Sequence, residues 1–350
     1  MDAGKTTLSE GLLYLGGAIR KMGRVDSRDA FLDTDEMERA RGITIYSKTA
    51  RFASVREDGT VREYTLLDTP GHSDFGAEME RVLPMLDAAI LLISAPEGVN
   101  VQVRLLSALL KHYRVPVFIF VNKMDQAGQA EEGEGRREEI LREIHKGISE
   151  NAVDFTGGPE DTDVMEQIAL ISGDEQILER IMEGGSLSEE EIGKMIASRE
   201  LFPVFFGSAL KMQGISELMS ALDRYVLPPA YPNDFGARIC KITRDASGER
   251  ETWLKVTGGT LRVRQAVTYS ARDAEAEQDG DGGNTADETG GISGTEEISE
   301  KINQIRLYSG ERYDAVSEAK AGTVCAVTGL TRTYAGQGIG ADRAEFSKIK

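Results

Sequence analysis

Cysteine is nearly absent from this chain of 350 residues: there are two, Cys240 and Cys325. They lie far apart and match no metal-ligand spacing. That argues against a cysteine-built metal cluster and predicts two reduced, partly buried thiols. Basic charge is also scarce, with 41 Lys and Arg against 59 Asp and Glu and a net charge of −18. Such a balance argues against a general polyanion-binding surface while leaving room for a local basic patch, so bulk charge neither finds nor excludes an RNA partner. Long apolar runs are missing as well. The strongest, "AAILLIS" at 88–94 and "VPVFIFV" at 115–121, are far too short to span a bilayer, and the first residues form no apolar signal region. No membrane partner and a cytoplasmic location are therefore expected.

What is present is enough chain for two or three domains, each able to bury a core. Residues 6–20 read as a helix, and 54–68 as two strands around an Asp58-Gly59 turn. Apolar runs at 88–94, 115–121 and 203–206 then alternate with helical stretches near 74–86, 99–112 and 214–226. This alternation predicts an α/β domain whose mostly parallel sheet is covered on both faces. Between 127 and 200 the sequence is charged and helix-rich with no strong strand, which reads as an insertion in that domain. "LPPAYPNDFG" at 227–236 carries three prolines and a glycine and reads as an extended linker. Beyond it, short alternating segments broken by glycines predict a small antiparallel barrel or sandwich. Within it, residues 273–300 hold ten acids and no base. That composition reads as a disordered surface loop between two strands.

The motifs follow one another in an informative order. "MDAGKTT" at 1–7 looks like the end of a phosphate-binding loop, G-x-x-x-x-G-K-[ST]. Asp2, Ala3, Gly4, Lys5, Thr6 and Thr7 would contact phosphates there, Lys5 would reach the β/γ oxygens, and the Thr6 hydroxyl would sit on Mg²⁺. "LLDTPGH" at 66–72 places Asp68 at the end of an apolar strand, followed by Gly71. An acid so placed faces bound Mg²⁺ and the γ-phosphate, although Asp-Thr-Pro-Gly alone is an ordinary turn. "FVNKMDQ" at 120–126 again leaves an apolar strand and presents Asn122, Lys123 and Asp125. A carboxylate at Asp125 can accept from guanine N1–H and N2–H₂, a pair of donors that adenine lacks. "FFGSALK" at 205–211 ends the next apolar strand and could bring the Ser208 and Ala209 backbone to the base. In "RARGITI" at 39–45, Thr44 can offer its hydroxyl to Mg²⁺ while a γ-phosphate is present and release it after hydrolysis. Each element is weak alone. A coincidence would have to repeat in register with every predicted strand.

With these residues in view, 2–350 resembles the first two domains of the translational GTPases, whose Arg-Gly-Ile-Thr-Ile and Asp-Thr-Pro-Gly-His segments stand here intact. The resemblance implies a GTP-binding domain at 1–229, with the helix-rich insertion at about 127–200, and a translation-factor-like β-barrel domain at 230–350. It also implies ribosome-stimulated hydrolysis of GTP to GDP and phosphate with Mg²⁺, on the ribosome (rRNA and ribosomal proteins), by a monomer. His72 takes the family's catalytic role of orienting the attacking water, whereas His112 and His145 match no family motif. Two subfamilies compete: elongation factor G and the ribosomal protection proteins of tetracycline resistance. "LLYLGGAIRKMGRVD", "LDAAILLISAPEGV" and "NKMDQAG" look closer to the resistance proteins. A non-catalytic guanine-nucleotide-binding regulatory module is the remaining alternative. The chain departs from the family pattern by lacking its first central strand and its third, fourth and fifth domains, so it reads as a fragment. The acidic run at 273–300 has no counterpart in that pattern.

Overall fold

The computed structural model describes residues 3–23, 31, 48–56, 58–69, 76–126, 130–158, 161–245, 247–271 and 296–342. The expectations placed on Asp2, Thr44, Gly71, His72 and residues 273–295 lie outside them. The chain divides into two compact units, Met1–Pro229 and Ala230–Lys350.

In the first unit, α1 (Lys5–Leu15) leads to an antiparallel hairpin of β1 (Lys48–Val55) and β2 (Val61–Asp68). Then follow α2 (Gly76–Val82), β3 (Ala89–Ser94), α3 (Val101–His112), β4 (Val117–Asn122) and α4 (Ala130–Gly147). β5 (Ala152–Asp154), α5 (Thr162–Ser172), α6 (Glu175–Met182), α7 (Glu189–Ala197), β6 (Phe202–Phe206) and α8 (Ile215–Tyr225) complete the unit. β3, β4, β6 and β5 form a parallel sheet in that order. Because side chains alternate across a strand, β4 feeds two cores. Phe118 and Phe120 pack with helices α1, α5, α7 and α8, and Val117, Ile119 and Val121 pack with α3 and α4. A strand buried on both faces needs an unbroken apolar run, which "VFIFV" supplies.

Three boundaries differ from the sequence reading. α1 stops at Leu15 rather than continuing to 20, because Gly16 caps it and Gly17 turns left-handed at φ 68°. The first hairpin strand starts earlier, at Lys48, since Ala50 and Phe52 are buried. The helix-rich stretch also contains an edge strand: Ala152–Asp154 pairs in parallel with β6. The hairpin is tied to α8 by side chains. Asp223 accepts from Ser54 at 2.5 Å and from Tyr64 at 2.6 Å, and Arg62 donates to the carbonyls of Leu222 and Val226. Burial and the Asp223 carboxylate push the Tyr64 phenol well above its ordinary range.

The second unit is antiparallel. β7 (Gly236–Arg244), β8 (Arg250–Gly258), β12 (Gln304–Ser309), β13 (Arg312–Val316), β15 (Val324–Thr328) and β16 (Gly338–Gly340) form one sheet in the order β13-β12-β15-β8-β7-β16. β9 (Thr260–Arg262) pairs with β14 (Glu318–Lys320), and β10 (Ala266–Ala271) pairs with β11 (Glu296–Lys301). The last part of the acidic run, Glu296 to Glu300, is thus strand rather than loop. Ile298 on β11 packs against the core formed by Ile239, Leu254, Val327 and their neighbours. Both cysteines are free and buried, and burial pushes the Cys325 thiol up to about 12.

Candidate functional site

Parallel α/β sheets present their chemistry at the carboxyl ends of their strands, and here the loops after β4 and β6 lock together. Gly207 donates to the carbonyl of Val121 at 2.9 Å, and Met124 donates to the carbonyl of Gly207 at 3.0 Å. A Cβ on Gly207 would stand 2.1 Å from the carbonyl oxygen of Gln213, so the close crossing admits only glycine. Ser208 and Gln213 exchange two backbone hydrogen bonds of 3.1 and 3.0 Å, which close the loop of 208–213. Lys123 takes a left-handed φ of 64° and turns the chain into a 3₁₀ turn at Met124–Gln126.

Asn122 is the hub. It is 3% exposed, its amide donates to the carbonyl of Ala3 at 2.8 Å, and its oxygen accepts from the Ala209 backbone at 2.8 Å. One side chain therefore joins three sequence-distant loops: the turn before α1, the end of β4 and the end of β6. Gly4 makes the approach possible. Its φ is 86°, and a Cβ there would lie 2.5 Å from the Asn122 nitrogen. α1 then starts at Lys5 with no side-chain cap and no acid in its first turn. Its first backbone amides have no partner within the helix, which favours an anion at this end. Lys5, Thr6 and Thr7 occupy that first turn and are half-buried.

Asp125 follows in the 3₁₀ turn, and Lys211 reaches its carboxylate at 3.9 Å. Asp68 is the last residue of β2, 5% exposed, and opposite Lys48 in the hairpin register. The structure thus gathers Ala3, Gly4, Asn122, Lys123, Asp125, Ser208 and Ala209 around the β4 and β6 loops. Lys5, Thr6 and Thr7 stand at the adjoining helix start, and Asp68 stands at the hairpin end. Sequence reasoning does not single out Gly207 or Lys211. The available signal is a glycine directly after a wholly apolar strand, since such a strand must leave the sheet in a tight turn. Among the described residues, no cluster of three or more His, Cys, Asp or Glu could hold a metal ion, and no helix is long and apolar enough to cross a membrane.

Residues 1–228 match the family described as the elongation factor Tu GTP binding domain. The oxytetracycline resistance protein of Streptomyces rimosus is 33% identical over 365 positions, covering 97% of this chain and 51% of that protein. The tetracycline resistance protein TetW of Butyrivibrio fibrisolvens is 36% identical over 286 positions, covering 78% of this chain and 43% of its own length. The chain thus spans about half the length of the curated relatives it matches. A crystal structure of a Thermus thermophilus protein shares the fold, with a TM-score of 0.76 at 20% identity, covering 100% of this chain and 55% of that one.

Proposed function

The chain belongs to the elongation factor Tu GTP-binding domain family, and on that premise we propose that it binds GTP and cleaves it with water on the ribosome, as part of tetracycline resistance by ribosomal protection. The observation that carries the nucleotide reading is the pair of bonds made by Asn122, to Ala3 and to Ala209. They tie the phosphate-loop sequence to both loops read as base-binding. The resistance reading rests on relatives at 33% and 36% identity that are named for resistance to tetracyclines.

In this reading the phosphates lie against the backbone of residues 2–7 at the start of α1, and Lys5 neutralises charge on the β/γ oxygens. Asp125 accepts from guanine N1–H and N2–H₂; the Ser208 and Ala209 amides, expected at the base, are instead engaged by the Gln213 carbonyl and the Asn122 side chain. The hydroxyls of Thr6 and Thr44 and the Asp68 carboxylate are hard oxygen donors of the kind Mg²⁺ selects. An ion bound through one or two protein groups, phosphates and water needs no dense ligand cluster. Held by these residues, Mg²⁺ would supply neutralisation of the charge on the transferring phosphate. His72 positions the attacking water in line with the γ-phosphate, so the protein contributes geometry and electrostatics rather than covalent chemistry. Hydrolysis then releases a monomeric, cytoplasmic protein from a ribosome cleared of drug.

The test is phosphate release from GTP with and without ribosomes, run beside translation inhibited by tetracycline. Ribosome-stimulated release together with restored translation supports the proposal. Stimulated release without relief of inhibition favours an elongation-factor role, and tight GTP binding without hydrolysis favours a regulatory module.

A further inference from the structure

The hairpin of β1 and β2 ends in Asp68, yet among the described residues neither strand pairs with a third. A two-stranded hairpin is marginal by itself, so other contacts must fix where Asp68 stands. Apolar packing supplies part of the hold. Phe52 stacks on Tyr64 with ring centroids 5.0 Å apart, and both pack with Leu8, Leu12 and Leu13 of α1 in one core. Such packing is non-directional; direction comes from polar groups. Asp223, 8% exposed on α8, accepts from Ser54 of β1 at 2.5 Å and from Tyr64 of β2 at 2.6 Å, one donor from each strand. Arg62 of β2 donates to the carbonyls of Leu222 at 3.2 Å and Val226 at 2.7 Å, at the end of the same helix. A second link runs through Glu189, the first residue of α7, which accepts from Arg56 just past β1 and from Arg224 of α8, both at 2.7 Å.

We propose that Asp223 is a positioning residue for the nucleotide site: it clamps the hairpin to α8, and thereby fixes Asp68 relative to the loop from which α8 rises. The inference rests on the GTP reading and deepens it. Three observations support it. α8 begins at Ile215, directly after the loop that Ser208 and Gln213 close, and a Cβ on the intervening Gly214 would stand 2.9 Å from the carbonyl oxygen of Phe206, so helix and loop are tightly joined. The hairpin ladder is continuous from Val55 opposite Val61 to Lys48 opposite Asp68, so a strand held at Tyr64 carries with it Asp68, four residues or about 13 Å further on. And a buried carboxylate is costly unless its oxygens accept hydrogen bonds; an apolar residue would fill the same space but hold neither strand. Since Asp68 is assigned to the Mg²⁺ side of the site, loosening the clamp weakens the Mg²⁺-dependent part of nucleotide binding. It spares the Mg²⁺-independent part, which lies with the phosphate loop and Asp125.

The experiment uses the 350-residue chain and its Asp223→Leu and Tyr64→Phe variants, with two readouts. Amide hydrogen exchange along β1 and β2 reports the clamp itself. Dissociation of a fluorescent GDP, titrated with Mg²⁺ and compared with its affinity in excess chelator, reports the site. Asp223→Leu, which removes both acceptors, is expected to speed exchange in the hairpin about tenfold. It should raise the Mg²⁺ concentration of half effect about fivefold or more, while affinity in chelator stays within about twofold. Tyr64→Phe keeps the ring and the carboxylate, so it guards against a misfolded leucine variant; it shifts both readouts the same way, by less. Faster exchange with an unchanged Mg²⁺ midpoint overturns the proposal, leaving Asp223 as a structural clamp, and unchanged exchange overturns it as well. An equal loss of affinity with and without Mg²⁺ also overturns it, since the damage then lies in the phosphate or base loops. A wild-type chain that binds no nucleotide overturns the GTP reading itself, and one that binds it without regard to Mg²⁺ overturns the assignment of Asp68; the exchange readout separates both from a missing clamp.

Discussion

The side-chain amide of Asn122 donates to the main-chain carbonyl of Ala3 across 2.8 Å, although the two residues are 119 positions apart. The other end of the same amide accepts from Ala209, so both polar atoms of a buried side chain are used in joining loops. A residue of this kind organises a site because removing it strands its partners: each buried group left unpaired costs about 1–3 kcal/mol.

Two glycine substitutions separate that bridge from backbone preference. Gly4 and Gly59 share a left-handed conformation, with φ 86° and 80°, but a Cβ at Gly59 meets nothing within 4 Å while one at Gly4 meets Asn122 at 2.5 Å. Gly59→Ala is expected to cost only the left-handed preference, about 1–2 kcal/mol. Gly4→Ala adds a clash that pushes Asn122 off Ala3, so its unfolding midpoint falls further and its nucleotide affinity drops. Denaturant melts of both variants, beside nucleotide titrations, check the contrast. Equal effects would show that the Asn122 contact adds nothing.

A second prediction concerns acid. Glu191 accepts from Arg180 at 2.7 Å and caps α7 together with Ser188. The Arg180 guanidinium first, and the Ser188 amide next, hold its carboxyl down at about 2, from an ordinary 4.5. A depressed carboxylate stabilises the folded state above its unfolded pKa and loses that contribution as the pH falls toward its folded one. Glu191→Gln is therefore expected to be less stable than wild type at neutral pH, with the gap shrinking below 4.5 and closing near 2. Urea unfolding across that range measures it. A gap that stays constant with pH would mean that ionisation of Glu191 is not involved.

The sequence reveals some of this more readily than the rest, for physical reasons. β4 and β6 are legible because strands buried on both faces must be continuously apolar, and both are buried along their whole length. β5 is not, since three residues ending in Asp154 carry no period of their own and form a strand only through pairing with β6. α1 reads too long because its apolar residues persist past Gly16 and Gly17, where the backbone turns away. In the site, Asn122, Lys123 and Asp125 stand out as polar residues leaving an apolar strand, but the bridge from Asn122 to Ala3 exists only in three dimensions. Glu10 gives no signal at all, because an acid in a helix looks like a solvated one in sequence, whereas its two oxygens accept from the distant Gly23 and Phe31 amides.

His72 tests the catalytic part of the proposal. Its assigned task is to place water, not to hold GTP, so His72→Ala should leave nucleotide affinity within about threefold while ribosome-stimulated hydrolysis falls on the order of 10³-fold. Phosphate release at saturating GTP, with ribosomes present, is the measurement. Unchanged turnover would remove His72 from the mechanism.

The most direct test of the central claim, a site built for guanine, is the base preference of Asp125→Asn. The carboxylate stands in the turn directly after β4, its side chain 12% exposed, and its proposed partners are guanine N1–H and N2–H₂. Replacing it by an amide turns one acceptor into a donor that faces a donor, and a site built to bond a polar group rejects the mismatch strongly. Xanthine has a carbonyl where guanine has its amine, so it suits the new donor. In competition against a fluorescent nucleotide, the variant is expected to bind xanthosine triphosphate more tightly than GTP, with wild type preferring GTP. A variant that keeps wild-type affinity for GTP and gains nothing for xanthosine triphosphate would contradict the guanine assignment.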